Sequence, residues 1–191
     1  MTELELEART IVLRRMRPED AEALYAYRSL PEVSRYQDWL PASVDEAHEL
    51  AGAQAGLEPG TPGTWFQFII CRREDGEMVG DCGIRFADQQ HRSPELGIAL
   101  HPDHRRRGYA TAAIQLVIDY LFAELGAHRV AARTDPRNLP AIAVMNRLGL
   151  RQEGHFRKSH WQRGEWVDDV SFAMLREEWA RERRSRSPRR E

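Results

Sequence analysis

Glu95-Leu96-Gly97-Ile98-Ala99-Leu100-His101-Pro102-Asp103-His104-Arg105-Arg106-Arg107-Gly108-Tyr109-Ala110 decides how this chain folds. A short apolar strand runs into a basic, glycine-containing turn, and the turn opens a helix. In that helix Ala110, Ile114, Val117, Leu121 and Leu125 recur at spacings of three and four, and Gly126 ends it. The first turn of a helix leaves backbone N–H groups unpaired, and the helix dipole adds partial positive charge there. Gly108 lets the backbone approach an anion with no Cβ in the way, and Ala110 keeps the next turn small. Arg105, Arg106 and Arg107 add attraction and bidentate donors. The segment therefore reads as an anion site, with a glycine turn beside a solvated basic cluster as the other reading of the same residues. It lacks the Gly-Lys-Ser/Thr ending of a nucleotide P-loop and the three glycines of a dinucleotide fold.

Outward from this segment the chain alternates strand and helix signals. Thr10 to Arg14 reads as a strand, and Arg17-Pro18-Glu19-Asp20-Ala21 opens a helix towards Ser29. Pro31 and Pro41 bracket an irregular stretch that holds Tyr36, Asp38 and Trp39. Ser43 caps a second helix to Ala55, with Glu46 three residues on. Gly56 to Gly63 is a loop. Trp65 to Arg72, Met78 to Phe86 and Glu95 to Leu100 are three strands in series, the first two joined by the turn at Asp75-Gly76. After the long helix come a strand from Arg129 to Arg133, a helix from Asn138 to Leu148 stopped by Gly149, and a hairpin from Leu150 to Leu175 through Arg163-Gly164. The order β-α-α-β-β-β-α-β-α-β-β implies an α/β (α+β mixed) fold: one domain with a mixed central sheet and helices on both faces.

Composition narrows the function. The 191 residues suit one domain, and 41% hydrophobic residues provide a core. No apolar run approaches the roughly 20 residues of a membrane span. Met1-Thr2-Glu3-Leu4-Glu5 is acidic and lacks a signal-peptide pattern, so a cytoplasmic protein with no membrane partner is expected. Cys71 and Cys82 fall in adjacent expected strands, where they could face each other, and are read as buried reduced thiols. No Cys/His spacing suggests a metal site. A net charge of −2 argues against nucleic-acid binding by the domain as a whole. The exception is the arginine-rich end, residues 180–191, read as a disordered, solvated tail. Lys158 is the only lysine, so arginine is this chain's ordinary basic residue.

Arg105-x-x-Gly108-x-Ala110, set between a strand with Pro102 after it and a long amphipathic helix, resembles the pyrophosphate-binding motif of the GNAT acetyltransferases. Asn138-Leu139-Pro140-Ala141 through Leu148-Gly149-Leu150 is similar to the GNAT segment in which an Asn opens a helix that ends in Leu-Gly-Phe. Glu153-Gly154, Arg163-Gly164-Glu165-Trp166 and Asp168, with Leu13-Arg14 and Arg17-Pro18-Glu19-Asp20, resemble the RimJ/RimL branch, the ribosomal-protein N-terminal acetyltransferases and their relatives. The resemblance covers residues 8–179. It implies acetyl-CoA as cosubstrate, held by Arg105, Arg106, Arg107, Gly108, Tyr109, Ala110 and Asn138. It further implies that Ile98 offers an N–H to the acetyl carbonyl and that Leu100 pairs with pantetheine on a strand splayed from its neighbour. Asn138 is also a plain N-cap, and the two roles are compatible.

The departures bear on the chemistry. Where many members carry a Tyr as general acid this chain has Met145, and where some RimL-type enzymes carry a Ser it has Ala141. A thiol is acidic enough, at a pKa of about 8.5, for its thiolate to leave without help. The Glu proposed as base in RimL-type enzymes corresponds to His160, a side chain able to take a proton at neutral pH. Glu95 is the second candidate, acting through water. Tyr36, Trp39 and Trp161 are candidates for the acceptor pocket, with core packing as the other role for each. The mechanism implied is direct attack of a neutral amine in a ternary complex, without a metal. The acceptor expected is a peptide or protein α-amine, with aminoglycoside, polyamine or amino acid as the alternative. A non-catalytic acyl-CoA sensor and an RNA- or ribosome-associated protein using the arginine tail are the competing classes. A homodimer is compatible with all of these.

Overall fold

A computed structural model describes residues 4–87 and 92–186. Eight strands form one sheet in the order β1-β2-β3-β4-β5-β6-β8-β7. They are β1 (Glu5–Glu7), β2 (Ile11–Arg15), β3 (Thr64–Arg72), β4 (Met78–Phe86), β5 (Glu95–Leu100), β6 (Arg129–Thr134), β7 (Arg151–Gln162) and β8 (Glu165–Leu175). The helices are α1 (Ala21–Arg28), α2 (Pro31–Ser34), α3 (Val44–Gln54), α4 (Tyr109–Ala123), α5 (Leu139–Arg147) and α6 (Arg176–Arg186). Every neighbouring pair of strands is antiparallel except β5 and β6.

The sheet has a core on each face, as the expected mixed fold requires. On one face α4 buries Ala113, Ile114, Val117, Ile118, Leu121 and Phe122 against Phe66, Phe68, Ile84 and Leu96. On the other, Leu24 and Tyr27 of α1 and Ala47 and Ala51 of α3 cover Ile69, Cys71 and Ala99. Local chemistry sets the boundaries. Ser43 Oγ accepts from the Glu46 N–H, so α3 starts where its cap signal lies. Asp20 accepts the Arg17 N–H and both ends of the Arg14 guanidinium at 2.7 Å, tying β2 to the entry of α1. Arg163 and Gly164 both have positive φ, the conformation that a two-residue hairpin turn needs.

Four features differ from the sequence reading. Strand β1 was not expected, because a single leucine between two glutamates carries little strand signal; Leu6 supplies its inward side chain. Pro31 to Ser34 forms a single helical turn inside the stretch read as irregular. Cys71 and Cys82 do not face each other: Cys71 pairs across with Met78 and Cys82 with Phe68, and they lie in the cores on opposite faces. Burial pushes both thiols up, which keeps them protonated. The segment read as disordered from residue 180 continues α6 to Arg186. Trp179 anchors it, with its indole N–H donating to Asp119 at 2.6 Å and its ring 5.4 Å from Phe122. Residues 187–191 of that tail lie outside the described residues.

The most demanding electrostatic feature is also buried. Asp81 on β4 is 1% exposed and is held by Arg28 of α1 and by the Tyr27 hydroxyl. Burial pushes the Tyr27 hydroxyl well above its usual range, with the Asp81 charge adding to the shift, so it stays a donor. Removing one partner of such a pair strands the other charge. Asp81→Ala is therefore expected to lose about 3–5 kcal/mol of unfolding free energy in urea denaturation. A loss under about 1 kcal/mol, the scale of an exposed pair, would contradict the burial argument.

Candidate active site

The site begins where the sheet comes apart. The parallel register of β5 and β6 covers only Glu95↔Ala131 and Leu96↔Ala132. Pro94 O accepts from Ala131 N at 2.9 Å, while His101 N donates to Val79 O on the β4 side. Backbone polarity alternates along a strand. Leu96, Ile98 and Leu100 therefore turn their N–H and C=O groups towards β6, and beyond Leu96 no β6 residue is in register with them. Strand β6 continues to Thr134 paired with β8 alone.

A cavity of about 530 Å³ passes through this gap. Leu24, Arg28, Trp39 and Leu50 line it from the α1/α3 face, and Ile114, Ala141 and Met145 from the α4/α5 face. Gly83 and Gly97 are partners across β4 and β5, and Trp65 lies over both. A Cβ on Gly83 would come within 2.8 Å of the Gln67 amide, so the close packing of this wall depends on that glycine.

The turn into α4 is left-handed at two positions. Arg106 and Gly108 both have positive φ, at 62° and 83°. Gly108 is the α4 N-cap, with no side-chain cap bond, and a Cβ built on it meets nothing within 4 Å. The turn thus presents unpaired helix N–H groups next to open space. Arg106 and Arg107 are exposed, Arg105 donates to the Glu32 carbonyl at 3.2 Å, Tyr109 is buried and Ala110 half-buried. Asn138 caps α5 through the Ala141 N–H and donates to Thr134 Oγ1 at 3.1 Å while lining the cavity.

The lining of the cavity is acidic. Six carboxylates line it (Asp38, Asp81, Glu95, Asp135, Asp168 and Asp169) against three guanidiniums, so a cationic amine is attracted there. His160 lies in this wall, its Nε2 2.7 Å from Asp38 Oδ1. A carboxylate has no proton to donate, so Nε2 is the donor of this contact, and in the neutral ring that leaves Nδ1 as the acceptor. Both groups are solvent-accessible, at 42% and 74% of their side chains, so the contact orients the ring more than it stabilises the fold. A bulge places His160. The register jumps from Phe156↔Asp169 to His160↔Val167, with the Lys158 N–H held by Asp168 Oδ1 at 3.0 Å. Burial pushes the Glu95 carboxyl up, opposed by Arg133 and Arg85 and reinforced by Asp169 and Asp38. Asp169 is pushed up for the same reason, with Arg133 Nε 3.0 Å from its Oδ2.

The structure thus brings Glu95, Ile98, Asn138, His160, Tyr36 and Trp39 to one cavity. Leu100 and the turn residues Arg105, Arg106, Arg107, Gly108, Tyr109 and Ala110 are not among the residues lining it, and neither is Trp161. Alternation along β7 turns that ring to the other face, where it packs 5.3 Å from Trp166 and is 56% exposed. Met145 and Ala141 line the cavity and neither can donate a proton. The sequence reading missed Arg28, Gln37, Asp81 and Asp169. Asp81 carried a usable signal, as a lone charge inside the run Met78-Val79-Gly80-Asp81-Cys82-Gly83-Ile84. Among the described residues no helix is long and apolar enough to cross a membrane.

Comparison with known proteins places this geometry in a family. A model of the GNAT acetyltransferase domain matches residues 10–151. The N-acetyltransferase p20 of Bacillus licheniformis, itself uncharacterized, is 33% identical over 171 residues, covering 89% of this chain and 95% of that protein. YdaF of Bacillus subtilis (strain 168), provisionally described as a ribosomal N-acetyltransferase, is 29% identical, covering 91% of this chain and 95% of its own length. A solved GNAT-family acetyltransferase from Bacillus anthracis has a TM-score of 0.82 at 26% identity, over 91% of this chain and 99% of that one.

The raised Glu95 carboxyl has a consequence for stability. A carboxyl whose folded pKa exceeds its unfolded one binds more protons in the native state. Its ionisation therefore costs stability as pH rises from the ordinary carboxylate range through the folded value. Glu95→Gln removes that cost. The variant should melt above wild type at neutral pH and level with it at a pH below the ordinary carboxylate range, in paired thermal scans. A neutral-pH melting temperature at or below wild type would count against the burial of this group.

Proposed function

The chain belongs to the GNAT acetyltransferase family, and from that membership we propose that it transfers an acetyl group from acetyl-CoA to the α-amine of a peptide or protein. The observation that carries this reading is the gap between β5 and β6, which opens from one face of the sheet to the other. The basic turn at Arg105, Arg106, Arg107 and Gly108 follows the splayed strand β5, and the cavity lining carries six carboxylates against three guanidiniums. Because residues of both faces line the cavity, an acyl donor and an amine acceptor can meet in the sheet from opposite faces.

The residues present fit acetyl-CoA. Gly108 leaves the space that a phosphate would need, and the left-handed pair at Arg106 and Gly108 aims backbone amides outward. Arg105, Arg106, Arg107, Tyr109, Ala110 and Asn138 complete the expected holding set, with Leu100 offering backbone along the strand. When bound, acetyl-CoA supplies an acetyl group already activated as a thioester. The chain's own part is to orient and to move a proton. The Ile98 N–H points into the gap as a donor to the acyl oxygen, a contact type worth roughly 2.7–4 kcal/mol. His160 through Nδ1, or Glu95 through water, takes the proton that the amine must lose. Tyr36 and Trp39 border the acceptor side.

The preference for an α-amine rests on proton energetics. An α-amino group, with a pKa of about 7.7–8.0, gives up its proton at neutral pH for about 1 kcal/mol, whereas a lysine side chain at about 10.4 costs nearly 5 kcal/mol. The resemblance to the RimJ/RimL branch and the similarity to YdaF support the same acceptor class. The six-to-three excess of carboxylates in the cavity favours a small polycationic amine as the second reading.

Acetyl-CoA should raise the melting temperature of the wild type. Gly108→Val should abolish that rise by filling the open space of the turn, and calorimetric binding at wild-type strength in the variant would reject the turn as the anion site. His160→Ala should lower kcat by about 10²–10⁴-fold with little change in acetyl-CoA affinity if the imidazole is the base. For the acceptor, a free-N-terminus peptide should compete with its N-blocked, lysine-containing twin, read by mass spectrometry. Acetylation mainly on the blocked twin's lysine would reject the α-amine, and transfer to a polyamine but to neither peptide would establish the second reading.

A further inference from the structure

The carbonyl of Ile98 faces the gap beside its N–H, and it already has a partner. Gln37 Nε2 donates to Ile98 O at 3.2 Å. Gln37 comes from the segment after α2, far from β5 in sequence. Its carboxamide is not free to turn over. Arg28 Nη1 donates to Gln37 Oε1 at 3.0 Å, and a guanidinium has only donors to offer, so the oxygen must face Arg28 and the nitrogen must face Ile98. Arg28 is fixed in turn by Asp81, with Nε donating to Oδ1 at 2.9 Å and Nη2 to Oδ2. Its guanidinium also lies over the Trp39 ring, 5.8 Å from the centroid. Asp81 sits on β4 in register with Ala99 of β5. A chain of bonds therefore starts in the sheet beside Ile98, leaves through α1, and returns to the Ile98 carbonyl.

We propose that Gln37 is a positioning residue: its carboxamide, oriented by Arg28, covers the Ile98 carbonyl so that this edge of the gap presents its N–H donor to the acyl group. The inference rests on the acetyl-CoA reading of the gap. Two physical effects follow. A carbonyl oxygen left bare beside the acyl oxygen would set one partial negative charge against another, and the Gln37 N–H offsets it. Pinning the carbonyl also restrains the unpaired half of β5, which has no strand on its β6 side to hold it. No residue of similar size does both jobs. Leucine fills the volume without a donor, and a glutamate carboxylate keeps Arg28 but turns an acceptor towards Ile98.

The test uses the full chain, acetyl-CoA labelled with ¹³C at the acetyl carbonyl, and the variants Gln37→Leu and Gln37→Glu. Calorimetry reads affinity, and the ¹³C shift of the bound carbonyl reads its polarisation by a donor. In wild type the resonance should move downfield on binding. In both variants that displacement should fall by about half or more, and kcat by about tenfold or more, while the acetyl-CoA dissociation constant changes by less than about threefold. A residue that served only the fold would change affinity and melting temperature together and leave the bound shift alone. If Gln37→Leu does not fold, Gln37→Glu, which retains the Arg28 contact, decides the matter. A full wild-type displacement in a folded variant overturns the proposal. Wild-type protein that binds acetyl-CoA without any displacement overturns it at Ile98, and wild-type protein that does not bind acetyl-CoA overturns the reading of the gap on which it depends.

Discussion

Two residue pairs hold the middle of this sheet together: Glu95 with Ala131 and Leu96 with Ala132. Among the described residues they are the only parallel contact in an otherwise antiparallel sheet, and they join a five-stranded half to a three-stranded half. The connection between the two strands is the basic turn with α4, whose apolar face packs on the sheet. Because α4 enters at the far end of β5, strand and helix diverge from β6 where the register stops. A sheet that twists tolerates such a split only if packing on its faces replaces the missing ladder bonds. Here α4 and α5 cover one face and α1 and α3 the other. The opening that results is the cavity, so fold and site have one structural cause.

Much of this was legible in the sequence because it is written in local chemistry. The strand, turn and helix of 95–126 carry period, glycine and charge together, and the observed elements follow from them, whereas the positive φ of Arg106 does not, being uncommon outside glycine. Asn138 announces itself as a cap, and Arg163-Gly164 as a turn. The parts that were not legible depend on contacts between distant segments. Nothing around Gln37 indicates that it reaches Ile98, and nothing near His160 reveals the bulge that turns it to the cavity while Trp161 faces away. The arginine-rich end was misread as far as Arg186 because composition says nothing of Trp179, which finds Asp119 and Phe122 only in the folded chain.

The two candidate bases stand in different electrostatic settings. Glu95 starts β5 at the narrow end of the gap, half-sheltered and raised by burial, with Arg133 and Arg85 opposing the shift. His160 stands at the open wall, its ring set by the Asp38 carboxylate at 2.7 Å and exposed to solvent. Asp169, 3.0 Å from Arg133 Nε, adds its charge to the upward shift at Glu95. The acidic wall attracts the ammonium form of an acceptor, so the same carboxylates that gather the substrate also oppose its deprotonation. A proton acceptor next to that wall is what reconciles the two demands, and both candidates meet it from different sides.

The buried Arg28–Asp81 pair shows why stability alone does not account for this site. A pair so fully desolvated is a poor source of folding free energy, because two apolar residues of matching volume would serve as well or better. What such residues would not provide is direction. Arg28 has donors left after Asp81 has taken Nε and Nη2, and Nη1 is the one aimed at Gln37. The geometry converts a buried charge into an orientation, and passes it through a carboxamide to the stretch of β5 inside the sheet that has no register partner on β6. In a fold whose working surface is an unpaired stretch of backbone, side chains must supply the rigidity that a neighbouring strand supplies elsewhere. The cost of burying Arg28 and Asp81 is intelligible on those terms.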